Sequence, residues 1–441
     1  MTLRSRLPVL ALGVSVLACA PQPPTPVSPA DVSELAGRVA RTPNNGELVL
    51  RYAAALQAAE RCDTAVTVAR RGMTLAPRSA VGPLVVGHCH ERADRFDDAL
   101  AVYRTFLSNN PDGRGVAAIR SRELLASRGL ATQRARQALA RETELAAEPA
   151  DPQTVAVLPL TIAGDSSYQP LSRGLAQMLT SDLALLRRFR MVERLQLGAL
   201  LDEMALSRTG RVEEATAVRM GRLLRAGRMV QGLAAIPPEQ SVRLEASVLL
   251  GSGEVTTPAA ASGRLPDLLR LEKEIVVGLA SRMGYTLSEA ERRAILENGT
   301  QNLAAFLAYS RALEAEDNGD YQAAAAYYAE AVRQDPGFQA AREGYQATTS
   351  LPEVRAAGPG DVTVLASGTP EPATPSVAEP SLTSAIGTSV GDLVPTIADK
   401  TTAIANPVQE AIKTTIAQPP PPSVVPPSTL IGTIRIVFRL P

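Results

Sequence analysis

Alternating strand and helix patterns between Val155 and Leu287 restrict the fold of this chain more than any other feature of its sequence. The stretch opens with V155-A-V-L-P-L-T-I162, a continuous apolar and β-branched run that is typical of a buried strand. From Leu171 to Leu186 the apolar residues instead recur at helical spacing and share one face. Further patterns predict a short strand at Arg190–Glu193, helices at Leu195–Leu206 and Glu213–Leu224, and a strand at Met229–Ile236.

The second half of this stretch predicts a hairpin followed by a closing helix. Every second residue of Val242–Leu250 is apolar, so one face of this strand is predicted to be buried. Gly251–Gly253 is a turn signal, and Glu254–Ala259 is the predicted return strand. An amphipathic helix pattern covers Leu268–Met283. Strands that alternate with helices in this way predict one α/β domain, which we place at residues 153–287.

Five short blocks in this domain also carry a family resemblance. They are V155-A-V-L-P-L160, M178-L-T-S-D-L-A-L-L-R-R-F-R-M-V-E-R194, L200-L-D-E-M-A-L-S-R-T-G210, the stretch from Ala215 to Gly232, and the Val242–Glu254 hairpin. Together they resemble the CsgG family, the curli-secretion lipoproteins, and related periplasmic domains. The resemblance implies an assembly scaffold that can self-associate through the α/β domain, and it implies no enzyme.

The same resemblance leaves open a second function, that of an oligomeric secretion channel. Channels of the curli type are ring-shaped and carry amphipathic membrane hairpins within this domain. Here only Val242–Ala259 approaches such a hairpin, and Arg243 and Glu245 lie in its middle. We therefore expect a scaffold first and a channel component second.

The N-terminus predicts export and a lipid anchor. Arg4 and Arg6 precede an apolar stretch that is too short to span a bilayer, so residues 1–18 are predicted to be a signal peptide. The stretch ends in V16-L-A-C19, which resembles the lipobox of bacterial lipoproteins, in which the cysteine receives lipid. Residues 19–45 would then form a lipidated, flexible tether. The alternative is an ordinary secretory peptide.

An internal repeat follows at residues 46–120. Pro77 and Pro111 lie 34 residues apart, and the residues before them align over the same distance. A period of about 34 residues in helix–turn–helix units is the tetratricopeptide (TPR) spacing. A third copy precedes Pro336, within a predicted helical region at residues 288–350. A constant offset of 225 residues relates its signature positions to those of the second copy, which are Phe96, Ala99, Tyr103 and Pro111, matched by Tyr321, Ala324, Tyr328 and Pro336.

Small alanines at a helix crossing and an aromatic wedge are what closely packed helix pairs need. The alternative is a set of ordinary alanine-rich helical hairpins. Residues 121–152 are predicted to be a connecting helix that ends at Pro149 and Pro152. Ser288 and Glu291 form a capping box for the helix that leaves the α/β domain.

The C-terminal part of the chain changes composition. Residues 351–428 are rich in Pro, Ala, Thr and Ser, and we predict a disordered tail. Residues 429–441 end in a strand pattern with Ile434, Ile436 and Phe438 on one face. A strand with one apolar face needs a sheet edge, and the candidates are the α/β domain of this chain or a partner.

The residues that usually carry chemistry are scarce. The predicted α/β domain contains no His and no Cys, so no nucleophile–histidine set can be built there. His88 and His90 are the two histidines, and on a helix their imidazoles would point about 200° apart, which suits no single metal ion. A net charge of +0 and an aromatic content of 3% give no reason to expect nucleic acid. We predict no catalytic residue, no metal and no cofactor.

Cys62 and Cys89 lie in neighbouring repeats. In an oxidising periplasm two thiols that lie close together are expected to pair. The sequence leaves open whether they form a disulfide or remain two buried thiols.

The sequence thus predicts an α/β + α protein, with a CsgG-like domain flanked by TPR-type helices, a disordered tail and a terminal strand. We expect it on the periplasmic face of the bacterial outer membrane, held there by its N-terminal lipid. Its expected partners are other envelope proteins, and it should not be an enzyme.

Overall fold

The computed structural model describes residues 26–204, 214–237 and 241–368. This part of the chain is mostly helical and contains one mixed sheet. It begins with seven helices: α1 (Val32–Arg41), α2 (Gly46–Ala58), α3 (Cys62–Leu75), α4 (Val81–Arg92), α5 (Phe96–Asn109), α6 (Val116–Ala140) and α7 (Glu142–Ala147). Helices α2/α3 and α4/α5 form two successive antiparallel pairs, and α6 packs on α5.

The sheet contains six strands in two groups. They are β1 (Asp151–Val157), β2 (Thr161–Gly164), β3 (Arg190–Met191), β4 (Ala226–Ile236), β5 (Ser241–Leu250) and β6 (Ala259–Arg264). Their order is β3-β1-β4-β5-β6, and β2 continues the pairing of β1 along β4. Strands β1, β2, β3 and β4 pair in parallel, whereas β4, β5 and β6 pair antiparallel.

Helices cover both faces of this sheet. They are α8 (Leu171–Ala184), α9 (Arg194–Glu203), α10 (Glu214–Leu223) and α11 (Leu268–Arg282). Ala156 and Leu158 of the β1 region pack in one core cluster with residues of α9 and α10. Helix α8 packs on β1, and α11 packs on β5 and β6. The sheet with α8–α11 is called the α/β domain below.

Six further helices complete the described chain: α12 (Glu289–Glu297), α13 (Leu303–Asp317), α14 (Tyr321–Gln334), α15 (Gln339–Thr349), α16 (Leu351–Ala356) and α17 (Val362–Ala366). Ser288 caps α12 in the predicted capping box with Glu291. Helices α13 and α14 form a third antiparallel pair, and α15 packs on both α14 and α6. The N-terminal helical group (α1–α6) and the C-terminal helical group (α12–α15) are therefore joined by the packing of α15 on α6.

Two strand predictions differ from the structure, each at a proline. The apolar run from Val155 to Ile162 forms two strands, β1 and β2, because Pro159 lies between them and has no N–H to give to the sheet. The return strand is not Glu254–Ala259 but β6, which begins directly after Pro258. Val255 forms only an isolated bridge with Leu249.

Two predicted boundaries also differ. The predicted limit of the repeats at residue 120 lies inside α6, which begins at Val116 and is one continuous helix to Ala140. The tail does not begin at residue 351, because α16 and α17 extend the helical region to residue 366. Their apolar residues Leu351, Val354 and Val362 are buried, which explains why this short stretch orders despite its prolines and glycines.

No helix in the described residues is both long enough and apolar enough to cross a lipid bilayer.

Candidate functional site

The predicted signature positions lie where helices of a pair meet. Ala99 and Tyr103 of α5 are fully buried, and so are Ala324 and Tyr328 of α14. Phe96 and Tyr321 open their helices and are partly buried, while Pro111 and Pro336 follow the helix ends in exposed turns. The rings fill space left by glycines, since a Cβ at Gly87 would lie 2.2 Å from the Tyr103 ring and one at Gly344 would lie 2.5 Å from the Tyr328 ring.

A carboxylate of low exposure accompanies each tyrosine, and the sequence patterns did not predict it. The Tyr103 hydroxyl donates to Glu91 Oε1 at 2.6 Å, and the Tyr328 hydroxyl donates to Glu316 Oε2 at 2.8 Å. The same offset of 225 residues that relates the two tyrosines also relates the two glutamates. Burial raises the pKa of Glu91, while Arg122 and the Tyr103 hydroxyl oppose that rise.

The arginine that neutralises each glutamate differs between the two groups. Glu91 pairs with Arg122 of α6, the next helix along the chain, at 3.2 Å. Under the 225-residue offset, Arg122 corresponds to Ala347 of α15, which has no charge. Glu316 instead pairs with Arg194 of α9, at 2.5 Å. The α/β domain thus supplies the closest cation to Glu316, and Arg128 of α6 lies farther away at 4.0 Å.

Arg194 belongs to a wider ionic cluster at this junction. It also pairs with Asp317, whose Oδ2 accepts a hydrogen bond from Arg173 Nε at 3.0 Å. Arg173 pairs in addition with Glu314 at 3.1 Å. Burial would lower the pKa of the Arg194 guanidinium, but the carboxylates of Asp317 and Glu316 outweigh it and raise that pKa. We name these five residues, Arg173, Arg194, Glu314, Glu316 and Asp317, the junction cluster.

A second group of charged residues lies inside the α/β domain, and Asn298, which follows α12, also contacts it. Lys273 Nζ of α11 donates to Asp182 Oδ2 of α8 at 2.6 Å, and Asn298 Nδ2 donates to the other oxygen of Asp182 at 2.7 Å. Glu272 Oε2 lies 3.4 Å from Lys273 Nζ, and no hydrogen bond from the described residues reaches either of its oxygens. Burial, followed by the charge of Asp182, raises the pKa of Glu272 well above its usual value.

The structure joins the two cysteines whose pairing the sequence did not decide. Cys62 opens α3 and Cys89 lies on α4, and they form a disulfide with a Cα–Cα distance of 5.5 Å. This bond links the first helical pair to the second. Gln57 Nε2 donates a hydrogen bond to His88 Nδ1 at 2.6 Å. Burial together with Arg122 and Arg92 lowers the pKa of His88 to about 4. No group of His, Cys, Asp and Glu in the described residues could hold a metal ion.

The last described segment, Leu351–Gly368, returns to the first helical pairs. Helix α17 packs on α2, α4 and α6. Val27 N donates to Gly360 O at 3.1 Å, and Gly115 N donates to Gly368 O at 3.3 Å. The segment therefore closes the N-terminal helical group from the side on which α2, α4 and α6 meet. Cys19 and the strand residues Ile434, Ile436 and Phe438 lie outside the described residues.

Comparison with known proteins finds a family similarity for part of this chain. The chain has no match among curated proteins. Residues 137–236 match the family described as Curli production assembly/transport component CsgG. The matched region begins at the end of α6 and ends with β4, so it contains the parallel strands and α8–α10. This portion of the chain is similar to the CsgG family, and the similarity suggests a function related to curli secretion or assembly.

Proposed function

We propose that this protein is a lipid-anchored scaffold of the bacterial cell envelope that holds other proteins together and carries out no enzymatic reaction. The observation that carries the proposal is the position of α6. This helix packs on α5 of the N-terminal helical group, on α9 of the α/β domain and on α15 of the C-terminal helical group. A partner bound on either helical group would therefore be held in a fixed position relative to the CsgG family domain.

Two features support an envelope location. The Cys62–Cys89 disulfide suits an oxidising compartment such as the periplasm. The V16-L-A-C19 junction suits lipid attachment at Cys19. The helical pairs support the scaffold role instead, because they resemble TPR repeats, which commonly present surfaces for other proteins. The proposed site of action is the periplasmic face of the outer membrane.

The second candidate, a component of a secretion channel, is less well supported by the strands. A hairpin that spans a membrane needs one face in contact with lipid. One face of β5 and β6 is instead covered by α11, which packs across both strands. The buried residues Val242, Leu244 and Val248 of β5 would have to leave this packing to face lipid.

The scaffold proposal is tested by recovering the full-length protein from cells. Tagged protein is crosslinked in its host and purified from detergent-solubilised membranes, and the control carries residues 1–45 fused to an unrelated soluble protein. We expect envelope proteins in a fixed ratio with the full-length protein and not with the control. The same proteins in both samples would contradict the proposal. Discrete conductance steps from the purified protein in planar bilayers would favour the channel.

The anchor is tested separately with Cys19→Ala. We expect this variant to move from the membrane to the soluble fraction, because the lipid is the attachment that we propose. A variant that remains with the membrane would place the attachment elsewhere in the chain.

A further inference from the structure

A cavity of about 530 Å³ opens where α17 meets the first helical pair. It is lined by Glu47 and Arg51 of α2, by the turn from Ala76 to Val81 between α3 and α4, by Arg114, and by Thr363, Ala366 and Ser367. Its volume falls within the range of about 300–1,000 Å³ that is usual for ligand sites. The segment that closes the N-terminal helical group therefore leaves one end of it open.

The charges around this cavity are unbalanced. Arg51, Arg78 and Arg114 contribute three guanidinium groups, whereas Glu47 is the one acidic residue in the lining. Glu47 Oε2 already accepts a hydrogen bond from the Ser79 hydroxyl at 3.2 Å. Arg78 and Arg114 are exposed, and neither forms an ion pair with the described residues. Two arginine side chains at the rim are thus available to an anion from outside.

The walls between these charges are apolar. Pro77, Ala80, Val81 and Ala366 supply them, and no aromatic side chain lies in the lining. A guanidinium binds a carboxylate through two parallel hydrogen bonds, and neighbouring apolar walls accept an aliphatic side chain. Nucleic acid bases, in contrast, are usually held by aromatic stacking, which this lining cannot offer.

We propose that this cavity binds an acidic peptide segment of a partner protein. Carboxylates of the segment lie on Arg78 and Arg114, and an aliphatic side chain beside them packs on Pro77 and Val81. The proposal rests on the scaffold function, since it states the chemistry of the partner that the scaffold takes. Under this proposal the partner binds at the open end of the N-terminal helical group.

The test uses the full chain and a fluorescent peptide that alternates Asp or Glu with Leu, with binding followed by anisotropy. The variant R78E/R114E reverses both rim charges, and both side chains are exposed, so the fold should remain intact. The matched control R292E/R293E makes the same change in net charge on α12, where both arginines are also exposed. We expect R78E/R114E to weaken binding at least about tenfold and the control to change it less than about twofold, because charge attraction acts at short range in salt.

Three outcomes would overturn the proposal: no binding by the wild-type protein, equal loss in both double variants, or equal binding of an oligonucleotide that carries the same charge. Full displacement of the peptide by inorganic phosphate at matched ionic strength would also overturn it, because the site would then hold any small anion. Crosslinking in cells separates this proposal from the scaffold function. If R78E/R114E recovers the same envelope proteins as the wild type, the cavity proposal fails alone. If neither recovers any, the scaffold fails as well.

Discussion

Glu272 is a carboxyl group inside the α/β domain whose neighbours do not favour its ionised form. The nearest cation, Lys273, is already bound to Asp182, and the folded protein therefore favours the protonated form of Glu272. An unfolded Glu titrates near pH 4.3, so above that pH the folded state binds more protons than the unfolded state. The free energy of unfolding must then fall as the pH rises above this value.

The first prediction follows from this fall in the free energy of unfolding with rising pH. Glu272→Gln keeps the shape of the side chain and removes its titration. We expect it to match the wild type in acid and to be more stable by about 1–3 kcal/mol at neutral pH, because the ionised form is no longer gained on unfolding. Urea unfolding from acid to neutral pH measures this difference. Glu274→Gln, on the exposed side of the same helix, should leave the pH dependence unchanged, and an unchanged dependence in Glu272→Gln would refute the argument.

Alanine substitutions at two helical glycines should change the stability of the protein in opposite directions. A Cβ at Gly87 would lie 2.2 Å from Tyr103, whereas nothing lies within 4 Å of a Cβ at Gly198. Gly87→Ala should therefore destabilise the protein by about 1–3 kcal/mol through overpacking. Gly198→Ala should stabilise it by up to about 1 kcal/mol, because alanine favours the helix and meets no neighbour. Chemical denaturation compares the two, and equal effects would show that the Tyr103 contact does not set the cost.

At the scale of the elements, the disulfide fixes two neighbouring helical pairs. Cys62 and Cys89 are 27 residues apart, and closing a loop of that length restricts the unfolded chain. We expect Cys62→Ser/Cys89→Ser to lose about 3 kcal/mol of stability. A reducing agent should lower the melting temperature of the wild type and leave that of the variant unchanged. A shift of equal size in both would mean that the reductant acts elsewhere.

Some of these elements and contacts could be predicted from the sequence, and others could not. The helical pairs were predictable because their small and aromatic residues recur at local spacing. Glu91 and Glu316 were not, since a glutamate on a helix has the pattern of an exposed face until its hydroxyl and arginine partners are known. The partner of Glu316 is Arg194, which lies 122 residues earlier in the chain. Helices α16 and α17 were missed because their prolines and glycines resemble the composition of the tail that follows.

At the scale of the whole molecule, the junction cluster joins the α/β domain to the C-terminal helical group. Arg194→Met would remove the closest cation from the buried Glu316 and one of the two arginines that pair with Asp317. We expect it to cost about 3–5 kcal/mol, the usual effect of breaking a buried pair. Amide exchange in α13 and α14 should accelerate more than exchange in α2 and α3, because the contact that is lost lies at the junction.

The matched control is Arg136→Met. Arg136 pairs with Glu203 at 2.9 Å between α6 and α9, but its side chain is 69% exposed. Such a pair contributes about 0–1 kcal/mol, so exchange should change little. Similar losses in both variants would show that the junction cluster has no special role in holding the two parts together.

The return of Leu351–Gly368 to the start of the described chain has a mechanical consequence. Val27 and Gly360 are hydrogen-bonded neighbours, so the two ends of the described chain enter and leave near the same place. A pulling force applied across these ends would load the contacts of α17 with α2, α4 and α6 first. The sheet and the junction cluster would carry no tension until that segment had peeled away.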